Sequence, residues 1–304
     1  KTGKMEANFA QSLQFSTWVD SRKMAGQPAY SVMISRGCNR QPHPHMLTMN
    51  QLLKKKTVFS HQPVHLEVSC SFQNAPASKE PRSVKPSSDN ALVLKKKSQN
   101  VLPYLNERCV YLVGMMGSGK TTVGKTLAEV LNYSFIDCDV LVEQATGEKS
   151  VAEIFKRHGE LFFRGKESKA LRELSLRHRL VVSTGGGAVI RPINWKYMQK
   201  GVIVWLDVPL KALAQRISVV GTNSRPLLQS DSGDLLEKTY KRLSNLWEER
   251  KEAYANANAR ISFESIAAKW GQKDVLNLTP PVIAIEVLDQ IEQFLVEEHN
   301  MYEL

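Results

Sequence analysis

Residues 114–121 carry the clearest chemical pattern in the sequence. They read GMMGSGKT, which fits the spacing Gly-x-x-x-x-Gly-Lys-[Ser/Thr] in full. Glycines in such a loop let backbone N–H groups point at phosphate oxygens, and the helix that follows adds the positive end of its dipole. The loop is therefore expected to bind a nucleoside triphosphate, with ATP favoured, through Gly114, Gly117, Ser118, Gly119, Lys120, Thr121 and Thr122. Lys120 would reach the β- and γ-phosphates, and the Thr121 hydroxyl would hold Mg²⁺.

Two carboxylates are expected beside this loop. Asp137 and Asp139 stand two positions apart at the end of the second predicted strand, and such side chains project from the same face of a strand. One carboxylate near Mg²⁺ and one near an acceptor hydroxyl would suit phosphoryl transfer. The alternative is a pair of solvated acids in a turn.

Basic residues further along the chain suggest an anionic acceptor. Arg164 and Glu167 are three apart in a predicted helix, so they share a face and can pair. A carboxylate that holds an arginine in place lets its planar fork bind an anion bidentately. A surface ion pair is the alternative for this pair. Arg250 and Tyr254, four apart, share a face of a later predicted helix.

Two loops complete the predicted site. Gly185, Gly186 and Gly187 end a predicted strand, where they either make a tight turn or leave backbone N–H groups open to a small ligand. Arg225 lies in a polar segment between two predicted helices. Such a segment is typical of a mobile lid that excludes water from a transferring phosphate.

The elements that must position these residues begin at about residue 102. Short apolar runs predict strands over 109–113, 133–137, 180–183, 202–206 and 260–263. Amphipathic patterns between and after them predict helices over 121–131, 151–157, 168–177, 211–218, 235–255 and 282–296. Strands that alternate with helices predict a mostly parallel sheet covered on both faces. Ligands bind such sheets beyond the carboxyl ends of the strands, where the motifs lie.

The ordered set of motifs resembles the shikimate kinase family, specifically its plant form. The matching stretches are GMMGSGKTTVGK at 114–125, DCD at 137–139, FFR at 162–164, TGGGAV at 184–189, RPLL at 225–228, and Arg250 with Tyr254. The resemblance covers about residues 101–297. It implies an α/β P-loop fold like that of nucleoside-monophosphate kinases, with a five-stranded parallel sheet flanked by helices and a mobile lid. The implied activity is transfer of the ATP γ-phosphate to the 3-hydroxyl of shikimate, in aromatic amino acid biosynthesis.

The resemblance also implies a role for each motif residue on the acceptor side. Asp139 would hold the acceptor hydroxyl and is the candidate base. Arg164, supported by Glu167, would bind the shikimate carboxylate together with Arg250. The glycines at 185–187 would line the substrate pocket.

On the nucleotide side, the same resemblance implies that Asp137 and Thr121 serve Mg²⁺. Arg225 would close over the phosphates from the lid, and Arg216 resembles the arginine that stacks on adenine in this family. The segment 264–281 has the character of an insertion, so adenine contacts after the last strand are not assigned from the sequence.

The front of the chain has a different composition. Residues 1–100 hold 15 Lys and Arg against 5 Asp and Glu, whereas residues 101–304 hold 26 against 25. The net charge of +11 therefore belongs to the first third, which argues against nucleic-acid binding by the rest. Residues 1–95 are Pro- and Ser-rich and acid-poor, which is typical of a disordered organelle-targeting leader. The kinase domain is expected over 101–304. No apolar stretch is long enough to span a membrane.

The resemblance to the plant form of the family implies a plastid pathway. The leader is therefore expected to be a chloroplast transit peptide that the plastid import machinery recognises, with the enzyme in the stroma. A generic disordered tail is the alternative. Three alternative functions remain at this stage: another small-acceptor kinase such as a gluconate kinase, a shikimate kinase-like paralogue without catalysis, and a basic binding module. The sequence does not predict an oligomeric state.

Overall fold

Five short apolar runs form the strands of one parallel sheet in a computed structural model that describes residues 88–220 and 235–302. Within those ranges the strands are β1 (Val110–Val113), β2 (Ser134–Asp137), β3 (Leu180–Ser183), β4 (Val202–Asp207) and β5 (Ala259–Ser262). They lie in the order β2-β3-β1-β4-β5, and every neighbouring pair is parallel. The predicted five-stranded parallel sheet is confirmed.

Helices cover the sheet and account for the continuous apolar character of its central strands. The described helices are α1 (Ser88–Leu105), α2 (Lys120–Leu131), α3 (Cys138–Thr146), α4 (Val151–Leu174), α5 (Pro192–Met198), α6 (Leu210–Val220), α7 (Leu235–Tyr254), α8 (Phe263–Lys269) and α9 (Pro280–Tyr302). Short 3₁₀ turns lie at Ala188–Ile190 and Val275–Asn277. All four residues of β1 and of β3 are buried, as expected for strands with neither face in water.

The strand order determines which loops meet. β3 lies between β1 and β2, so the segments that follow these three strands emerge side by side. Asp137 and Leu112 both pair in register with Ser183. Thr184 then continues the contact, because its backbone N–H and its hydroxyl both donate to the Leu112 carbonyl, at 3.1 and 2.9 Å. The phosphate loop, the acidic pair and the glycine loop therefore share one edge of the sheet.

Local structure differs from the sequence prediction at three places. Asp139 lies in the first turn of α3 rather than on a strand, because the chain turns into a helix directly after Asp137. The two helices predicted within 151–177 form the single element α4, which is kinked at Gly159 (φ 80°, ψ 169°). Phe263 starts α8 instead of ending β5, since the Ser262 hydroxyl accepts a hydrogen bond from the Ser265 N–H and caps the helix.

The N-terminal boundary of the folded part also differs from the prediction. Residues 88–95 were assigned to the leader, but they are helical and begin α1. Leu94 is only 3% exposed within the core, and α1 packs mainly against α9. Lys97 adds an ion pair to Asp289 at 2.7 Å. Polar and basic residues surround these contacts, which is why the composition of this stretch resembles that of a leader.

The expected lid and most of the expected leader lie in parts of the chain that the structure does not describe. Residues 1–87 and Arg225, with the predicted lid around it, lie outside the described residues. Among the helices that are described, none combines the length and apolarity that a membrane crossing requires.

The buried contact of α1 predicts a stability effect. Leu94→Ala should lower the free energy of unfolding by about 2–4 kcal/mol, because it removes methyl groups from the interface with α9 and leaves a cavity. Leu92→Ala, on the same helix but at a side chain 69% exposed, should change it by less than about 0.5 kcal/mol. Chemical denaturation of both variants measures the difference.

Truncation provides a second measurement of the same feature. A chain that starts at residue 101 lacks Leu94 and Lys97, and it should unfold at lower denaturant than one that starts at residue 88. Equal midpoints for the two chains would contradict the assignment of α1 to the folded domain.

Candidate active site

The phosphate loop runs from the end of β1 to the start of α2 and encloses its own lysine. Gly114 (φ 148°) passes so close to β4 that a Cβ there would lie 2.7 Å from the Leu206 carbonyl oxygen. Lys120 is 8% exposed, and its ammonium donates to the carbonyls of Gly114 and Met115, at 2.8 and 2.9 Å. These bonds hold the cation at the mouth of the loop, where it can transfer to phosphate oxygens.

Hydroxyl and carboxylate groups form a hydrogen-bond network next to the phosphate loop. The Thr121 hydroxyl donates to Asp137 Oδ2 at 2.8 Å and lies 3.4 Å from the Ser183 hydroxyl. Asp137 Oδ1 accepts the N–H of Asp139 at 3.1 Å, so this carboxylate also caps α3. Both acids therefore face the phosphate loop, as expected, but a helix cap rather than strand alternation places them there.

The same network could hold a magnesium ion. Carboxylate and hydroxyl oxygens are hard ligands, and proteins bind Mg²⁺ through one or two carboxylates together with substrate phosphates and water. Within residues 88–220 and 235–302, no group of three or more His, Cys, Asp or Glu side chains is arranged to hold a metal. The Thr121 hydroxyl and the Asp137 carboxylate fit the sparse protein ligation that is usual for Mg²⁺ beside a triphosphate.

Asp139 sits deeper in the cleft and has an altered acidity. Burial is the main cause, and the neighbouring Glu167 and Asp137 carboxylates add to it, so that the pKa of Asp139 is raised to about 7. Lys120 opposes the shift. A carboxylate with a pKa near neutrality suits a group that accepts a proton at physiological pH.

Arg164 and Glu167 form the buried ion pair that their spacing predicts. Arg164 Nη1 donates to Glu167 Oε2 at 2.9 Å, and the Glu167 carboxylate is completely buried. A second acid joins from the preceding turn, since Arg164 Nε and Nη2 donate to Glu160 Oε1 at 3.2 and 3.1 Å. The ring of Phe163 lies 5.2 Å from the guanidinium carbon and that of Phe155 lies 5.9 Å away. Glu160 and Phe155 were not predicted as parts of the site.

Positions 185 and 187 in the loop after β3 require glycine, because charged groups occupy the space that larger side chains would need. A Cβ at Gly185 would lie 2.8 Å from Asp139 Oδ1 and would also collide with Glu167 Oε1. A Cβ at Gly187 would overlap the guanidinium of Arg164. Asp139, Glu167 and Arg164 therefore converge on one short backbone segment.

Helix α7 reaches the same segment from the other side. Arg250 Nη1 and the Tyr254 hydroxyl both donate to the Gly186 carbonyl, each at 3.1 Å. Arg250 is 1% exposed, and its Nε has no hydrogen-bond partner. Burial lowers the pKa of Arg250, and the nearby Arg164 guanidinium lowers it further. Tyr254 is fixed by stacking on Trp205, with ring centroids 5.4 Å apart.

A cleft of about 380 Å³ lies beside the phosphate loop, and the predicted residues Arg164, Glu167 and Arg250 are not among those that line it. Predicted residues that line it are Gly117, Gly119, Lys120, Thr121, Thr122, Asp137, Asp139 and Gly186. Met116, Ser183 and Thr184 also line it but were not predicted. Their positions were accessible in principle, since Ser183 is the last residue of β3 and ligands lie beyond carboxyl ends of strands.

A second pocket of about 690 Å³ adjoins the phosphate loop on its other side. It contains Arg216, which lies 5.6 Å from the Phe263 ring centroid and forms long hydrogen bonds to the carbonyls of Gly117 and Val275, at 3.4 and 3.5 Å. Burial lowers the pKa of Arg216. The remaining wall is largely apolar and includes Leu276, Leu278, Pro280 and Ile283.

This second pocket supplies contacts that the sequence did not assign. The segment 264–281 forms α8, a 3₁₀ turn and the start of α9, and its residues Leu276, Leu278 and Pro280 line the pocket together with Arg216. Residues of the apparent insertion therefore form part of the wall of this pocket.

Comparisons with known proteins agree with this geometry. A family model described as shikimate kinase matches residues 116–292. Shikimate kinase 1, chloroplastic, from Arabidopsis thaliana is 53% identical over 298 residues, which are 98% of each chain. Shikimate kinase, chloroplastic, from Solanum lycopersicum is also 53% identical, over 98% of this chain and 99% of that relative.

A solved structure extends the agreement to the fold. The structure described as shikimate kinase from Acinetobacter baumannii in complex with shikimate matches with a TM-score of 0.52 and 32% identity, over 65% of this chain and 98% of that chain. The predicted P-loop fold, like that of nucleoside-monophosphate kinases, is thereby confirmed. Family model, full-length relatives and fold point to one conclusion: the chain belongs to the shikimate kinase family.

Proposed function

We propose that the protein transfers the γ-phosphoryl group of ATP to the 3-hydroxyl of shikimate. The observation that carries this proposal is the convergence of Asp139, Arg164 and Arg250 on the glycine loop beside a phosphate loop. Two buried arginines next to a carboxylate of raised pKa suit an acceptor that has both a carboxylate and a hydroxyl group. A catalytically inactive paralogue is disfavoured, because Lys120, Asp139, Arg164 and Arg250 are all present in the sequence.

On the donor side, the chain binds and orients the triphosphate. Loop N–H groups and the start of α2 surround the phosphates. The ammonium of Lys120 leaves the carbonyls of Gly114 and Met115 for the β- and γ-phosphates. Arg216 and the apolar wall opposite it hold the base. Since phosphoryl transfer has a loose transition state, positioning and charge stabilisation account for most of the catalysis.

Thr121 and Asp137 would hold Mg²⁺ next to the phosphates. When bound, this ion would supply positive charge that neutralises the negative charge developing during transfer. Arg225 is proposed to add a positive charge from the segment 221–234, by the resemblance of its motif alone.

On the acceptor side, the guanidinium groups of Arg164 and Arg250 bind the carboxylate of shikimate. Glu167 keeps Arg164 in place, because the Glu167 carboxylate is completely buried and water cannot compete for its hydrogen bond to Arg164. This arrangement aims the 3-hydroxyl at Asp139. Asp139 accepts the hydroxyl proton as the phosphoryl group arrives.

The compartment of the reaction follows from the full-length relatives. The Arabidopsis and tomato proteins are both named as chloroplastic, and we place this protein in the chloroplast as well. We further propose that the basic stretch before α1 acts as a transit peptide for import into the stroma. A fusion of residues 1–87 to a fluorescent protein would test that role by its location in leaf cells.

The proposed activity predicts a pattern of acceptor use. ADP release in a coupled assay should require shikimate, and gluconate or quinate should each support less than about one hundredth of its kcat/KM, because a buried polar site rejects acceptors that leave its groups unpaired. Comparable turnover with gluconate would contradict the assignment and favour another small-acceptor kinase.

The two acidic residues should respond differently to substitution. Asp139→Asn keeps the shape of the side chain but cannot accept a proton. It should lower kcat by roughly 10²- to 10⁴-fold with little change in the shikimate Kd from calorimetry. Asp137→Asn removes a proposed magnesium ligand, so its smaller loss should be partly recovered at high Mg²⁺.

A charge-matched control separates these effects from general electrostatics. Glu129→Gln removes one charge from an exposed position of α2 and should leave both constants at wild-type values. An Asp139→Asn enzyme with unchanged kcat and KM would remove Asp139 from the mechanism.

A further inference from the structure

Two carboxylates occupy different edges of the Arg164 guanidinium. Glu167 accepts from Nη1 at 2.9 Å and is completely buried. Glu160 accepts from both Nε and Nη2, at 3.2 and 3.1 Å, and its side chain is 44% exposed. The guanidinium fork thus holds one fixed acid and one acid that can move into water.

The backbone explains why Glu160 points at Arg164. Gly159 interrupts the helical conformation of α4 with φ 80° and ψ 169°, a region that residues other than glycine rarely adopt. Glu160 therefore begins the part of α4 that carries Arg164, and the two residues are one turn apart. A Cβ at Gly159 would meet no other atom within 4 Å, so the kink rather than the space requires glycine there.

Glu160 also lies within the influence of Arg250. Its carboxylate opposes the lowering of the Arg250 pKa that burial and Arg164 cause. Arg164 and Arg250 are 8% and 1% exposed, and two buried guanidinium groups near one another repel each other, an effect that the buried Glu167 carboxylate opposes. The Glu160 carboxylate adds a second negative charge, on the solvent side of Arg164, that also opposes this repulsion.

We propose that Glu160 is an internal stand-in for the carboxylate of the acceptor. It occupies the fork of Arg164 in the unliganded enzyme and swings into water when the acceptor carboxylate takes its place. The inference rests on the proposed function, because it assumes that Arg164 binds the acceptor. Glu160 is thus a specificity-determining residue: only a ligand with a carboxylate can replace it, and a neutral ligand leaves the fork occupied.

The difference between the two acids supports exchange over permanent anchoring. Glu167 alone already fixes Arg164 from a buried position, so a second anchor at the solvent side adds little rigidity. Glu160 uses a single oxygen for both hydrogen bonds, and its exposure gives the displaced carboxylate immediate access to water. Part of the binding free energy of the acceptor is therefore used to displace Glu160, which weakens the apparent affinity.

Calorimetry with the full chain tests this proposal. Glu160→Gln keeps the size of the side chain but removes its charge, so it should bind shikimate roughly two- to fivefold more tightly, the range expected for a partly exposed ion pair. The methyl ester of shikimate lacks the carboxylate and should gain nothing. Acetate should compete with shikimate more strongly in Glu160→Gln than in the wild type.

A control variant on the same helix tests whether the effect is specific to position 160. Glu153→Gln also removes one negative charge from α4, but this residue lies near the N-terminus of the helix, where its side chain accepts from the Lys149 N–H. Its Kd for shikimate should match the wild type. Unchanged or weaker shikimate binding by Glu160→Gln, or an equal gain for the methyl ester, would overturn the proposal.

Arg164→Lys separates this proposal from the function on which it rests. Loss of the fork should weaken shikimate binding roughly tenfold or more. A loss in Arg164→Lys without a gain in Glu160→Gln would overturn the stand-in role alone. Wild-type binding by Arg164→Lys would overturn the acceptor assignment and the stand-in role together.

Discussion

The close approach of charged side chains to the backbone of residues 185–187 is the constraint on which the whole site depends. Asp139 and Glu167 reach Gly185, Arg164 lies against Gly187, and the Gly186 carbonyl accepts hydrogen bonds from α7. The loop can take this place because β3 lies between β1 and β2. One short segment therefore fixes the distance between the groups proposed to bind the donor and those proposed to bind the acceptor.

A row of charged groups with two neighbouring acids at its centre follows from this close packing. Lys120, Asp139, Glu167 and Arg164 succeed one another from the phosphate loop to α4, and charged neighbours influence the pKa values of Asp139, Glu167 and Arg164. Burial raises the pKa of Glu167, and Arg164 acts in the opposite direction. In such a row of charged groups, the charge of the acceptor carboxylate would also influence groups that the carboxylate does not contact. Exchange of Glu160 for that carboxylate would keep the balance of charge near Arg164 and Arg250 unchanged.

The sequence predicted those parts of the site whose positions follow from local patterns. The phosphate loop, the Arg164–Glu167 pair and the glycine loop lie on the expected elements, because short-range spacing determines them. It was wrong about how Asp139 is placed, since a helix cap by Asp137 depends on a turn that apolar periodicity does not reveal. Leu94 was missed because its burial depends on α9, almost 200 residues away, and the wall formed by Leu276 depends on where α8 packs.

The most direct test of the central claim is shikimate binding by Gly187→Ala. Gly187 has φ −105° and ψ 5°, which alanine can adopt, so any effect arises from displacement of the Arg164 guanidinium. Gly165→Ala is the matched control, because a Cβ there meets nothing within 4 Å. Gly187→Ala should raise the Kd for shikimate roughly tenfold or more and leave the Kd for ADP unchanged, whereas Gly165→Ala should bind both ligands normally. Wild-type shikimate binding by Gly187→Ala would contradict the account.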